Sequence, residues 1–310
     1  GLLSIFSSSL SRGDFLNFEK QLVALAISLT VALLIGFMDL RFFKANSYLI
    51  FSLYALALVS LSGLLVVGSH VRGIQGWYRL GPVSADPEPF VAIILIIVLS
   101  KYFSSRHIEI SMFRSVVFSG IYAFVPIILV LFQPDLGSSL SLIVVWLGMI
   151  LFSGIRARHL VLLAVLFGLV FALGWNFYLH DYQKQRIAAF LNPNIDTKGV
   201  AWSANQSKIA IGNGGLLGQG IGNGSQTQYG FLSEPKTDFI FSAIAEEFGF
   251  LGIFILFILF LALFWQIVSV VFHAHSNFTG LFAFGFVFLA LGENPRHKLC
   301  QVNGFCEFRF

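Results

Sequence analysis

Between Asp181 and Gly252 the sequence gathers its densest mixture of polar and charged groups around a glycine-rich run. Asp238 stands at the mouth of the apolar segment FIFSAIAEE, where a carboxylate can cap unpaired backbone N–H groups or act as a general base. Glu246 and Glu247 follow about two turns further in, inside the apolar run. Charged groups within a span are costly and are usually paired or functional. Adjacent helical residues point about 100° apart, so the two carboxylates do not face one partner. They are expected to be structural, paired inside the bundle, rather than to enter the chemistry. Arg186 and Lys208 are suited to anionic groups, either lipid headgroups or a phosphate-bearing ligand that the planar Arg fork matches. Lys184, Lys198 and Lys236 read as interface or solvated charges.

The elements that must hold these residues are apolar helices. Spans are expected near 21–38, 46–68, 89–102, 112–132, 138–154, 159–178, 239–271 and 278–292, with residues 1–7 as the stump of an earlier helix. Gln133-Pro134-Asp135 breaks one apolar run into two, because proline removes a helical hydrogen bond. Asp135 there is an N-cap or a substrate-side residue, and both readings stand. Trp77 beside Tyr78 suits an interfacial pair of aromatics. The insert between the sixth and seventh long spans is roughly sixty residues, against a median connection of about 4–6, and connections that long are functional or disordered. Ile187, Phe190, Trp202, Ile209, Ile211, Leu216 and Phe231 argue for order.

Composition agrees. Hydrophobic residues make up 57% of the chain and charged residues 11%, against about 25% charged in a soluble domain. The chain is read as an all-α polytopic membrane protein. Arg41, Lys44, Lys101, Arg106, Arg114, Arg156 and Arg158 fall in alternate loops, which are cytoplasmic by the positive-inside rule. The long insert then faces outward, where no ATP is available. Two late cysteines, Cys300 and Cys306, build neither a disulfide framework nor a metal cluster. The run Gly212–Gly224 contains no phosphate-loop pattern and follows no strand, so its glycines are expected to permit tight turns against the membrane surface. His273 and His275 alone are not expected to hold a metal.

Five segments carry a family resemblance: QPDLGSSL (133–140), YQKQRI (182–187), QSKIAIGNGGLLGQG (206–220), NGSQTQ (223–228) and EPKTDFIFSAIAEEFGFLG (234–252). They resemble the SEDS family of bacterial cell-wall synthesis (RodA, FtsW, SpoVE), with NGSQTQ favouring the RodA branch. GWYRLGPVSADPEPF (76–90) is similar to a further family segment, less closely. There Pro89 stands where the family has a glutamate, with Glu88 one place early, and Ala92 replaces a usual lysine. The resemblance implies a multi-helix bundle, ten helices in the family and about eight plus a stump here, with extracytoplasmic loop 179–238. A single transmembrane domain over 1–292 is expected, followed by an atypical tail at 293–310 that a frameshift would explain. The chain's first residues read as the end of a helix already under way.

The resemblance further implies a peptidoglycan glycosyltransferase that polymerises lipid II in the bacterial inner membrane, with its active face extracytoplasmic. It implies Asp238 as the catalytic carboxylate. Arg186, Lys208, Trp77, Gln133, Asp135, Gln226 and Glu234 are implied as substrate-binding residues. A class B penicillin-binding protein and membrane lipids are the implied partners, and no nucleic acid. No cofactor is assigned; a divalent cation (Mg or Mn) beside a pyrophosphate is chemically reasonable, with no ligands identified. The alternatives are a lipid-linked precursor flippase and an impaired scaffold for the penicillin-binding protein. A flippase needs polar groups spread through several spans, whereas 21–38, 46–68 and 159–178 are nearly free of charge.

Overall fold

The computed structural model describes residues 2–10, 15–37, 46–71, 74–80, 83–105, 113–177, 200–232, 239–274 and 276–292. Over these residues the chain is helical, apart from one small sheet. In chain order the elements are α1 (Leu2–Leu10), α2 (Leu16–Gly36), α3 (Ser47–Val67), β1 (Ser69–Val71), β2 (Ile74–Leu80), β3 (Val83–Ala85), α4 (Glu88–Ser104) and α5 (Phe113–Phe132). Then come α6 (Leu136–Phe152), α7 (Ala157–Phe177), α8 (Val200–Gly214), α9 (Ser225–Gln228), α10 (Ile240–Phe272) and α11 (Asn277–Gly292). Among the described residues four helices are long and apolar enough to cross a membrane: Phe18–Gly36, Ser47–Val67, Arg114–Phe132 and Ile240–Phe272. Helices apolar all round belong in a core or a bilayer. Their exposed Leu, Ile, Val and Phe side chains, such as Leu29, Leu34, Phe257 and Leu261, make this a multi-pass membrane protein.

The chain divides into two compact units. One comprises residues 20–155 and 260–310, the other residues 1–19 and 156–259. In the first, α11 packs on α6 and α4, and α5 packs on α6. Its core is Leu95, Ile96 and Leu99 of α4 with Leu142, Trp146 and Met149 of α6, all closed to solvent. The Trp146 indole N–H donates to Ser119 Oγ at 3.3 Å, and its ring meets Phe124 edge-on with centroids 5.2 Å apart. Tyr54 Oη donates to the Tyr122 carbonyl at 2.8 Å, so the buried phenol keeps a partner.

The sheet β1-β2-β3 is antiparallel throughout. It is an addition to the helical expectation. Its strands are short, and Gly76 interrupts the alternation that would have marked β2. Tyr78 on β2 donates to the Ser60 carbonyl of α3 at 2.6 Å and fastens the sheet to that helix. The break at 133–135 lies where proline placed it: α5 ends at Phe132 and α6 begins at Leu136.

In the second unit, the run expected as one long span over 239–271 is a broken helix. Gly249 interrupts α10 with φ 64° and ψ −165°, a conformation open essentially to glycine alone.

Candidate active site

The break at Gly249 frees backbone groups that an unbroken helix would pair four residues apart. The glycine-rich loop after α8 meets four of them. Phe250 N–H donates to the Gly215 carbonyl at 2.9 Å and Leu251 N–H to the Leu216 carbonyl at 3.1 Å. In return, Gln219 N–H donates to the Glu246 carbonyl at 2.9 Å and Gly220 N–H to the Glu247 carbonyl at 3.0 Å. The loop is spliced into the helix, which meets the demand that buried backbone groups be paired. Irregular backbone beside an apolar span is tolerated only where protein satisfies it in this way. Gly218, at φ 82°, lies against Gly249 N and the Glu247 carbonyl, and a Cβ there would fall inside contact distance. Gly214 and Gly218 thus serve close approach to α10, and Gly215, Gly218, Gly220 and Gly222 also take positive φ in the turns expected of this run.

Above the break, the two glutamates diverge. Glu246 is closed to solvent. Its Oε1 accepts from Gln226 N–H at 2.7 Å and Ser225 Oγ at 3.3 Å. Its Oε2 accepts from Thr227 N–H at 3.0 Å and Thr227 Oγ1 at 2.7 Å. Hydrogen bonds to a charged acceptor contribute roughly 1.5–3 kcal/mol each. Glu247, also buried, accepts from the Ser7 hydroxyl of α1 at Oε1. Ser7 Oγ in turn accepts from Gly222 N–H at 3.0 Å and Gln228 Nε2 at 3.2 Å. The other oxygen of Glu247 has no hydrogen-bond partner among the described residues. The partners of the pair are hydroxyl and N–H groups on separate segments.

The remaining residues singled out by sequence fall into two groups. In this second unit, Lys208 is exposed on α8. Its neighbour Ser207 meets Ser242 of α10, Oγ to Oγ, at 2.6 Å. Gln226 lies in α9 beside Glu246, with its side-chain oxygen buried and unpartnered among the described residues. In the first unit, Trp77 lies on β2 with its indole N–H buried and unpartnered among the described residues. The same strand's Gln75 N–H donates to the Gln133 carbonyl at 3.3 Å. Gln133 is buried and its Nε2 donates to the Leu61 carbonyl at 3.0 Å. Asp135 caps α6: its carboxylate accepts from Ser138 N–H at 3.1 Å and Ser138 Oγ at 2.8 Å. Asp238, Arg186 and Glu234 lie outside the described residues, as does the tail from 293.

Sequence reasoning missed Ser7, Ser225 and Thr227 as partners of the glutamates. NGSQTQ held the signal for two of them, two hydroxyls in a polar turn, but nothing in it names the carboxylate they serve. Ser7 sits in an ordinary serine-rich stretch and carried no signal at all.

With four apolar helices of membrane length, the broken helix, spliced loop and buried carboxylates define a multi-pass helical membrane protein with a hydrogen-bonded polar site beside an apolar span. The chain belongs to the FtsW/RodA/SpoVE family, described as cell cycle protein, which matches residues 1–294. It is 31% identical over 281 residues to the peptidoglycan glycosyltransferase MrdB of Escherichia coli K12, covering 91% of this chain and 75% of that protein. It is 28% identical over 369 residues to the peptidoglycan glycosyltransferase RodA of Treponema pallidum, covering 93% of this chain and 84% of that one. Among solved structures it superposes with TM-score 0.73 and 25% identity on a chain from a peptidoglycan synthase complex that coordinates polymerization and crosslinking, over 93% of this chain and 81% of that one.

Proposed function

We propose that this protein is a peptidoglycan glycosyltransferase that polymerises lipid II into glycan strands during cell elongation and shape maintenance. The similarity over 91% of the chain to MrdB, a protein named peptidoglycan glycosyltransferase, supports the reading. In the proposed reaction, the hydroxyl oxygen of the acceptor sugar attacks the anomeric carbon of the donor. The bond from that carbon to the pyrophosphate oxygen breaks, and the hydroxyl proton passes to the Asp238 carboxylate. A carboxylate so placed also stabilises the oxocarbenium-like charge of the transition state. Arg186 and Lys208 meet the departing pyrophosphate, the arginine through its planar fork. The long insert carrying these residues faces outward from the bacterial inner membrane, by the loop-charge asymmetry.

The partner in the proposal is a class B penicillin-binding protein, which cross-links the peptides; the synthase-complex neighbour supports this pairing. Among the described residues no three or more His, Cys, Asp or Glu stand together as metal ligands.

The test is glycan-ladder formation from fluorescent lipid II by the protein purified with its penicillin-binding partner. Native protein is expected to give a ladder that Asp238→Ala abolishes. Equal ladders from both would remove Asp238 from the chemistry.

A further inference from the structure

Glu246 holds both ends of one loop. Its backbone carbonyl takes the Gln219 N–H at 2.9 Å, and its carboxylate takes four donors from residues 225–227. Gln219 closes the loop on itself, since its Oε1 accepts from Ser225 N–H at 3.2 Å. One turn earlier on α10, Ser242 meets Ser207, the neighbour of Lys208. Gln226, the first turns of α10 and the α8 segment bearing Lys208 are therefore bolted together, and Asp238 stands two residues before the start of α10 in sequence. A buried carboxylate is an expensive way to fasten a loop, because desolvation opposes it. Four donors around one carboxylate recover that loss and fix direction as well as distance, as charge-assisted bonds do.

We propose that Glu246 is a positioning residue for glycosyl transfer. It fixes the loop carrying Gln226 to the first turns of α10 and so sets the point from which the chain reaches Asp238. The proposal rests on the glycosyltransferase reading. Glu246 touches neither substrate nor reacting atoms in it. Misplacement of a reacting group by about 1 Å costs on the order of a hundredfold in rate.

The test compares native protein, Ser225→Ala, Thr227→Val, Glu246→Gln and Asp238→Ala, each purified as a monodisperse complex with the penicillin-binding partner. Turnover of fluorescent lipid II per folded enzyme is measured well below the lowest melting midpoint. Glu246→Gln turns an N–H donor toward an N–H donor on one side of the clasp. It is expected to lower kcat at least roughly tenfold with a smaller change in KM for lipid II, since the reacting groups are displaced while Lys208 keeps its tether through Ser207 and Ser242. Losses are expected to rank Ser225→Ala below Thr227→Val below Glu246→Gln. A Glu246→Gln enzyme with native kcat overturns the proposal, even where Asp238→Ala is dead. An active Asp238→Ala enzyme overturns the catalytic assignment instead, and the Glu246 ranking is scored separately.

Amide hydrogen exchange on the same samples gives a readout independent of turnover. Glu246→Gln is expected to speed exchange at 225–227 and through the first turns of α10. Unchanged exchange at both places also overturns the proposal.

Discussion

The backbone N–H of Phe250 bonds the Gly215 carbonyl 2.9 Å away, and the Glu246 carbonyl that it would meet in an unbroken helix takes Gln219 instead. Two chain segments thereby exchange hydrogen bonds as though the loop were part of the helix. The exchange makes the loop and the helix mouth one cooperative piece. Amides of Gln219, Gly220, Phe250 and Leu251 are accordingly expected to exchange with solvent slowly and at a common rate. Fast exchange at Gln219 and Gly220 beside protected Phe250 and Leu251 would contradict the splice.

Gly249 is the residue on which the splice depends. Its φ of 64° and ψ of −165° cost a residue with a side chain about 1–3 kcal/mol. Its Cβ would also stand 2.7 Å from the Leu216 carbonyl oxygen. Gly249→Ala is therefore expected to lower the thermal midpoint in detergent, by about 2 kcal/mol or more of stability. A midpoint equal to that of the native protein would mean that α10 runs unbroken.

At the start of α6 the expectation concerns capping. Asp135→Ala removes two hydrogen bonds to Ser138 and is expected to cost about 0.5–2 kcal/mol, while Asp135→Asn, an equally good cap, recovers most of it. Thermal unfolding of the three proteins decides the matter. An alanine variant as stable as the native chain would leave the cap without weight and return Asp135 to a substrate-side role.

Lys208 is exposed, so Lys208→Ala is expected to leave stability within about 0.5 kcal/mol. KM for lipid II is expected to rise by about tenfold, equivalent to about 1.4 kcal/mol of binding. Lys208→Arg retains the charge and most of the affinity. Steady-state kinetics over a range of lipid II concentrations would show it. An unchanged KM for the alanine variant would assign this lysine to lipid headgroups.

What the sequence determined by itself is what local physics can encode. Apolar runs of membrane length specified the helices, the proline at 134 specified the boundary between α5 and α6, and long motifs such as QSKIAIGNGGLLGQG specified the family. The need for Glu246 and Glu247 to face different partners was also legible, from helical geometry alone. Who those partners are was not. Gln226 and Thr227 reach Glu246 across a separate segment, and Ser7 reaches Glu247 from the other end of the chain. A hydrogen bond between residues so distant leaves no mark in the composition around either. The same holds for Gly249. Its apolar neighbours Phe248, Phe250 and Leu251 read as continuous helix, because hydropathy reports the environment of side chains and is blind to the backbone angle of one glycine. Only the tertiary structure decides that angle: the loop offers two carbonyls and two N–H groups to the backbone on either side of the break.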